Sequence, residues 1–371
     1  MSDDIIARIE APRSAAGLIG HAAAASALAE AWRSERLAHA WMLAGPPGIG
    51  KATLAWQFVR FVAVGGKPGG EGGGAPVGEE PLATDPHHPA VRQIVAGAHP
   101  DCRLVRRSHN ARPPHRLRTE ISVEDVRDVG RFLQHTAAMG GWRSVVVDSA
   151  DAMNANAQNA LLKILEEPPP RTLILLVCHA PSRLLPTVRS RCRTMHLRPL
   201  SEDQVAAIIA QQKPDLPGAD RQLLARLADG APGWALDLAE AGGLDLYQNL
   251  IDLLESLPAL DAVQLHKTAD RFSGASGESA YRTFVTLLQW WLARAIRATA
   301  EKAGGASGEA VDEVVSGEAA LTARLTQPGL EPWLKAWEKV AALTLRADAV
   351  NLDRKQVVLN AFFELASAAR G

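Results

Sequence analysis

A glycine-rich stretch with a single lysine is the clearest candidate for chemistry in this chain. Residues 45–53 read GPPGIGKAT, which has the phosphate-loop spacing G-x-x-x-x-G-K. In such a loop, backbone N–H groups and the N-terminus of the next helix face phosphate oxygens, while the lysine ammonium neutralises their charge. We therefore take Gly45, Gly48, Gly50 and Lys51 as candidate nucleotide-binding residues.

The position after the lysine departs from the phosphate-loop pattern. Such loops place a Ser or Thr hydroxyl there to coordinate Mg²⁺, but this chain has Ala52. Thr53 comes one residue later, and on a helix its side chain points about 100° away from that position. The sequence therefore predicts a degenerate nucleotide site, in which Thr53 is a candidate residue and ATP is either bound without hydrolysis or not bound at all.

An acid beyond a second apolar run adds to this site. Residues 143–148 read RSVVVD, and Asp148 stands where P-loop enzymes place the acid that orients the metal ion. The next residue is Ser149, where a self-contained ATPase needs a carboxylate to activate water. A hydroxyl with an ordinary pKa cannot take that proton, so hydrolysis by this chain alone is predicted to be crippled. Asp151 is interpreted as the start or cap of the following helix.

Strands and helices alternate around these residues, which indicates a doubly wound parallel α/β domain. Apolar runs predict buried strands at 40–44, 143–148 and 172–178. Helical periodicity predicts helices at 21–34, 51–64, from Ser122 onward with a capping box, 154–167, 281–299, 332–345 and 352–368. The predicted domains are a P-loop domain at 1–198 with a flexible Gly-rich insertion near 65–81, a small helical domain at 199–243 and an all-α domain at 244–371.

Composition excludes several classes of protein. The 371 residues carry 40 Lys+Arg and 41 Asp+Glu, and a formal net charge of -1 argues against a surface that binds polyanions over its whole extent. With 47% apolar residues, wholesale disorder is excluded. Three cysteines are too few for a disulfide framework or a four-cysteine zinc module. The sequence has no signal-like N-terminus and no membrane-length apolar run, so we expect a cytoplasmic protein without membrane partners.

A third motif completes a resemblance to a known family. Ser190-Arg191-Cys192, the phosphate loop and residues 159–169, NALLKILEEPP, together resemble the clamp-loader branch of the AAA+ family. The resemblance implies an AAA+ P-loop domain, a small helical lid and a helical collar that joins a five-subunit ring. It also implies a role in DNA replication as part of the DNA polymerase III holoenzyme, a nucleotidyltransferase complex. The implied partners are ATPase subunits of the gamma/tau type and a delta subunit, with the sliding clamp and primer–template DNA met through the complex.

The same resemblance assigns roles to single residues. It implies that Arg191 is an arginine finger that acts in trans on a neighbouring ATPase subunit, and Trp234 stands where active members place a second nucleotide-sensing arginine. One alternative is a self-sufficient P-loop ATPase, in which Thr53 and Asp151 replace the missing ligands. Another is a scaffold in which the phosphate loop and Arg191 are relics, with Arg191 simply solvated near a helix end.

Three further groups of residues could bind a metal, DNA or another subunit. Family members often carry zinc-binding cysteines after the first helix; here His87, His88, His99 and Cys102 fall in that stretch, and we expect no zinc and no other metal. Between Arg103 and Arg118 six arginines occur without an acid, which could contact DNA phosphates, but the lack of interleaved aromatics favours a solvated loop. Four tryptophans are expected to pack in the helical domain, in its core or, as we prefer, at a subunit interface, rather than to form a ligand box: Trp290, Trp291, Trp333 and Trp337.

Overall fold

The computed structural model describes residues 12–15, 17–65, 81–109, 118–274, 277–303, 313–350 and 352–371. The predicted insertion near 65–81 lies almost wholly outside these residues. The chain divides into two units, one of Met1–Gln204 with Gly230–Gly233 and one of Val205–Asp229 with Trp234–Gly371. The predicted domain boundaries at 198 and 243 stay predictions.

The first unit is built on a parallel sheet. Its strands are β1 (Ala40–Ala44), β2 (Cys102–Val105), β3 (Arg143–Val147), β4 (Thr172–Cys178) and β5 (Arg193–His196). Their order across the sheet is β2-β3-β4-β1-β5, and every pair is parallel. The three inner strands are buried along their whole length, as their apolar runs require. The predicted α/β class is confirmed.

Helices cover both faces of this sheet. They are α1 (Ala22–Arg33), α2 (Lys51–Ala63), α3 (Pro89–Val95), α4 (Val123–Gln134), α5 (Ala155–Glu166) and α6 (Pro186–Arg189). Side chains alternate along each strand, so Leu43 and Leu175 join the apolar cluster that includes α1 and α2, while Met42 and Leu176 join the one that includes α4 and α5. Each face of the sheet therefore has its own core.

The start of α4 follows the predicted capping box. The Ser122 hydroxyl accepts a hydrogen bond from the backbone N–H of Asp125 at 3.4 Å, and the Asp125 carboxylate accepts one from the backbone N–H of Ser122 at 2.9 Å. Two N–H groups that no helical carbonyl can reach are thereby satisfied. The cap fixes where α4 begins.

Both edge strands, β2 and β5, were missed from the sequence. Each has four residues, and Arg103 in β2 and Arg193, Thr194 and His196 in β5 are exposed. An edge strand buries less side-chain surface than an inner strand, so it does not need a continuous apolar run. The hydrophobic pattern that identified the inner strands is consequently absent here.

Beyond β5 the regular secondary structure of the described residues is helical. The helices are α7 (Glu202–Gln212), α8 (Gly218–Leu227), α9 (Pro232–Glu240), α10 (Gly243–Glu255), α11 (Ala262–Asp270), α12 (Glu278–Ala303), α13 (Glu318–Leu325), α14 (Leu330–Val350) and α15 (Arg354–Arg370). None of the helices in the described part of the chain has the length and apolarity needed to cross a bilayer. The predicted helical character of this half is confirmed.

The tryptophans of the second unit have different surroundings. Trp291 and Trp333 are at most 1% exposed, and their rings pack edge to face with centroids 5.8 Å apart. The interface interpretation is wrong for these two, because they belong to the core of the helical unit. Trp290 packs against Tyr247 at 5.8 Å, whereas Trp337 is 39% exposed on α14.

Candidate functional site

The phosphate loop joins the carboxyl end of β1 to the first turn of α2. Gly48 and Gly50 have φ values of 76° and 97°, which a side chain would strain. At Gly45 a Cβ atom would lie 2.5 Å from the Leu197 carbonyl oxygen and 2.9 Å from Ile49 Cδ1, so no side chain fits there. The glycine spacing read from the sequence therefore has a steric cause at each position.

The Lys51 ammonium hydrogen-bonds to the backbone of this loop. Lys51 is 2% exposed, and its Nζ donates hydrogen bonds to the carbonyl oxygens of Gly45, at 2.7 Å, and Pro46. Burial lowers the pKa of Lys51 to about 8, although the carboxylates of Asp151 and Asp148 act against this. The one cation of the loop is thus held by the loop's own backbone.

Two further contacts hold the loop from outside. The His21 ring, through Nε2, lies 2.6 Å from the Ile49 carbonyl oxygen, and the Gly233 N–H donates to the Gly48 carbonyl at 2.9 Å. A Cβ at Gly233 would approach Gly48 to 3.2 Å, so glycine permits this close contact. His21 escaped the sequence analysis because it lies 28 residues before its partner.

The start of α2 retains no hydroxyl at the magnesium position. Ala52 is half-buried and packs against the apolar cluster beneath the helix, and Thr53 follows it, also half-buried. Asp148 directly follows β3, and its charge acts on the Lys51 ammonium. Burial raises the pKa of Asp148, while His179, Lys51 and Arg106 nearby favour its ionised form. Within the described residues, no three or more His, Cys, Asp or Glu side chains are grouped to hold a metal ion.

Ser149 and Asp151 bond to the chain that follows β4. Ser149 Oγ lies 3.3 Å from His179 Nε2, and the Asp151 carboxylate accepts the backbone N–H of His179 at 2.8 Å. Asp151 also hydrogen-bonds with the Cys178 thiol, whose pKa burial raises to about 12. Asp151 is placed in a short 3₁₀ turn, Ala150–Ala152, and links the ends of two adjacent strands rather than capping α5, whose N-cap is Asn154.

His179 is a site residue that the sequence analysis missed. Burial lowers its pKa, and the charges of Lys51 and Arg107 act in the same direction. Its Nδ1 is buried without a hydrogen-bond partner among the described residues. A signal was available: His179 directly follows the run 172–178, and the carboxyl ends of parallel strands meet at one edge of a sheet.

The Ser-Arg-Cys motif forms a tight turn between α6 and β5. Ser190 Oγ donates to the Thr187 carbonyl at 3.1 Å, whereas the buried Cys192 joins the apolar cluster on the α4 and α5 face. Burial raises the pKa of the Cys192 thiol to about 12. Between them the Arg191 side chain is 36% exposed; its guanidinium pairs with the Glu166 carboxylate at 2.8 Å and donates to the Thr187 carbonyl at 3.0 Å.

A buried amide anchors the chain before α6. Gln158 on α5 is 4% exposed; its Oε1 accepts the backbone N–H of Leu185 at 2.7 Å, and its Nε2 donates to the Met153 and Arg183 carbonyls at 2.9 and 3.3 Å. An amide satisfied on both ends has one orientation. The segment that carries Arg191 is therefore fixed to α5.

Arg191 and the phosphate loop lie at opposite ends of the parallel strands. β5 runs parallel to β1, with Arg193 opposite Trp41 and His196 opposite Ala44. The loop follows β1, so it lies where the strands end, at the carboxyl edge of the sheet. Arg191 precedes β5, so it lies where the strands begin, at the amino edge. The six residues from Arg191 to the level of the loop correspond to about 20 Å of extended strand. Arg191 cannot reach the phosphate loop of its own chain.

The candidate zinc stretch is occupied by structural hydrogen bonds. The Asp101 carboxylate accepts the N–H groups of Ala138 at 2.7 Å and Met139 at 2.8 Å, and His99 Nδ1 accepts the N–H of Asp101 at 3.1 Å. His88 Nδ1 accepts the Ala90 N–H at 3.2 Å and caps α3. These groups join loops and cap a helix.

The first arginine of the arginine-rich stretch lies on β2, and the others follow that strand. Arg103 is exposed on that strand, with its guanidinium carbon 5.2 Å from the Phe132 ring centroid. Arg106 and Arg107 follow β2 and act electrostatically on Asp148 and His179. Arg118 is exposed, and Arg112 and Arg116 lie outside the described residues.

Sequence comparison agrees with this geometry. Residues 20–201 match the protein-family model for "DNA polymerase III, delta subunit". DNA polymerase III subunit delta' of Pseudomonas aeruginosa is 38% identical over 213 residues, which cover 56% of this chain and 54% of that protein. The Escherichia coli subunit delta' is 30% identical over 237 residues, covering 63% and 64%. Subunit tau/gamma of Haemophilus influenzae is 26% identical over 303 residues, covering 75% and 40%.

The chain thus spans between about half and two thirds of the length of the two delta' relatives. The family match takes in the phosphate loop, Asp148 and Arg191, the same residues that the fold brings to the two edges of the sheet. The chain is therefore similar to the delta' subunits of DNA polymerase III, and the family match lies within residues 20–201.

Proposed function

We propose that this chain is a non-motor subunit of the DNA polymerase III clamp loader that supplies Arg191 to the ATP site of a neighbouring subunit. The observation that carries the proposal is the placement of Arg191 at the amino edge of the sheet, about 20 Å of strand from its own phosphate loop. A guanidinium placed there is too far from its own loop to act on a phosphate bound in that loop, so a phosphate that it contacts would belong to another chain. Such an arginine stabilises the negative charge that develops during phosphoryl transfer.

Three features of the chain's own site support a role without hydrolysis. Ala52 offers no hydroxyl to Mg²⁺. Ser149 stands where a carboxylate would activate water, and its hydroxyl is within hydrogen-bonding distance of His179. The Lys51 ammonium is bonded to loop carbonyls. ATP bound here would be held by the loop's backbone and Lys51 and would remain intact.

The proposed partners follow from the family. ATPase subunits of the gamma/tau type would receive Arg191, a delta subunit would complete the ring, and the sliding clamp and primer–template DNA would be met through the assembly. The helical residues 244–371, as a collar, would join the subunits. The chain would act in the cytoplasm, where the chromosome is replicated.

The test is the DNA- and clamp-stimulated ATPase of the reconstituted assembly. We would compare wild type with Arg191→Ala, Lys51→Ala and the matched control Arg189→Ala, which removes an exposed arginine two residues away. Single-turnover measurements separate the site that adjoins this chain from the other ATPase sites.

Arg191→Ala should slow hydrolysis at the adjoining site by about 10³-fold or more, the lower bound for known arginine fingers. Lys51→Ala and Arg189→Ala should leave every site unchanged. A loss of turnover from Lys51→Ala with none from Arg191→Ala would instead identify this chain as a motor and refute the proposal.

A further inference from the structure

The proposed arginine finger is held by an acid from its own chain. Glu166 Oε1 lies 2.8 Å from one terminal nitrogen of the Arg191 guanidinium, and the Thr187 carbonyl accepts a hydrogen bond at 3.0 Å from the other. Glu166 is the last residue of α5, and Thr187 lies in α6. Two separate helices therefore fix the two nitrogen ends of one guanidinium.

Helix stability does not account for Glu166. An acid at the C-terminal end of a helix meets the negative end of the helix dipole and is disfavoured there, so this position would ordinarily suit Lys or Arg. The pair also contributes little to folding, because the side chains of Arg191 and Glu166 are 36% and 48% exposed. What the pair does achieve is to give the guanidinium a defined position at the protein surface.

The held guanidinium keeps donors for a second partner. An arginine has five N–H groups, and the bonds to Glu166 and Thr187 use one on each terminal nitrogen. The remaining donors belong to a side chain that is partly exposed, so a phosphate oxygen can bond to them while both contacts persist. A free arginine loses rotamer freedom when it binds a phosphate, and fixing the guanidinium beforehand reduces that loss.

We propose that Glu166 is a positioning residue for Arg191: it sets the guanidinium in place before the neighbouring subunit's phosphate arrives. This inference rests on the proposed trans role of Arg191. Glu166 does not touch the phosphate, so its effect on the rate of hydrolysis passes through Arg191.

The experiment uses the reconstituted clamp-loader assembly with Glu166→Gln in this chain. The substitution keeps size and hydrogen-bonding capacity but removes the charge. Glu167→Gln is the matched control, since Glu167 is the next residue, is exposed and has no ion pair within the described residues. Arg191→Ala and the double variant Glu166→Gln/Arg191→Ala complete a double-mutant cycle. Single-turnover rates, the KM for ATP and the urea midpoint of each isolated chain are measured.

Glu166→Gln should lower the single-turnover rate at the adjoining site about two- to fivefold, the effect of losing one exposed charge pair. The KM and the urea midpoint should not change, and Glu167→Gln should match wild type. In the Arg191→Ala background, Glu166→Gln should have no further effect.

Three results would overturn the inference while leaving the role of Arg191 intact: Glu166→Gln equal to wild type, Glu166→Gln faster than wild type, or an additive loss in the double variant. The second would mean that Glu166 restrains the arginine, and the third that it acts by another route. If Arg191→Ala itself has no effect, the proposed function fails first.

Discussion

Replacing Asp101 by alanine should loosen the turn that joins α4 to β3. Asp101 is 3% exposed, and its carboxylate oxygens accept the backbone N–H groups of Ala138 and Met139 at 2.7 and 2.8 Å. The carboxylate therefore holds two backbone N–H groups that lie 37 and 38 positions after Asp101 in the sequence.

The size of the effect follows from the two bonds. A hydrogen bond to a charged group contributes about 1.5–3 kcal/mol, so two bonds give about 3–6 kcal/mol. Because Ala138 and Met139 are exposed, water can replace the carboxylate as acceptor once it is removed. We therefore expect the lower end, about 3 kcal/mol, which corresponds to about a 100-fold change in an equilibrium constant.

Amide hydrogen exchange reports this opening directly. In Asp101→Ala, the amides of Ala138 and Met139 should exchange about 100-fold faster than in wild type, and the urea midpoint of the α/β unit should fall. Asp101→Asn keeps one acceptor and should lie between the two. The control is Asp85→Ala, which removes a single exposed bond from the His87 N–H, 2.8 Å long, and should leave both amides unchanged.

Unchanged exchange of the two amides in Asp101→Ala would refute the reasoning, since the carboxylate would then not hold the turn. Zinc provides a second check. His99 Nδ1 and both oxygens of Asp101 are already used by backbone N–H groups, so added zinc should not raise the urea midpoint of wild type. A rise that Asp101→Ala abolishes would contradict the expectation that this stretch binds no zinc.

Two further predictions concern other parts of the chain. Burial raises the pKa of the Cys178 and Cys192 thiols to about 12 from an ordinary 9.0, so at pH 8 iodoacetamide should label them about 10³-fold more slowly in the native chain than in urea. The native rate should keep rising with pH beyond 9, where the rate in urea levels off; equal rates at pH 8 would contradict this. In the helical unit, Tyr247→Phe removes the donor 2.7 Å from Oε1 of Glu318, a residue that is 3% exposed, and should lower the free energy of unfolding in urea by about 1.5–3 kcal/mol. An unchanged midpoint would show that this bond does not support the helical unit.

The strands that are buried on both faces could be predicted from the sequence, because burial requires apolar residues. β1, β3 and β4 are covered on both faces, so each contains a run of at least three consecutive apolar residues that predicts a buried strand. β2 and β5 lie at the edges and carry exposed polar side chains, so nothing in their composition distinguishes them from loops. Their place in the sheet depends on pairing with β3 and β1, which are distant in sequence.

The site residues that are neighbours along the chain could be predicted from the sequence. The phosphate loop, Ala52 and Ser149 were identified because each position is defined by its distance from an adjacent motif residue. His21 and His179 reach Ile49 and Ser149 across 28 and 30 residues, and no local pattern announces such contacts.

The sequence by itself determined which chemical groups are present and which are missing: a glycine-rich loop with one lysine, an alanine in place of a magnesium-binding hydroxyl, a serine in place of a catalytic acid, and the Ser-Arg-Cys motif. Only the tertiary structure decided that Arg191 lies at the sheet edge opposite its own loop and pairs with Glu166. The physical reason is that strand register and side-chain pairing relate residues far apart along the chain, and those relations exist only once the chain has packed.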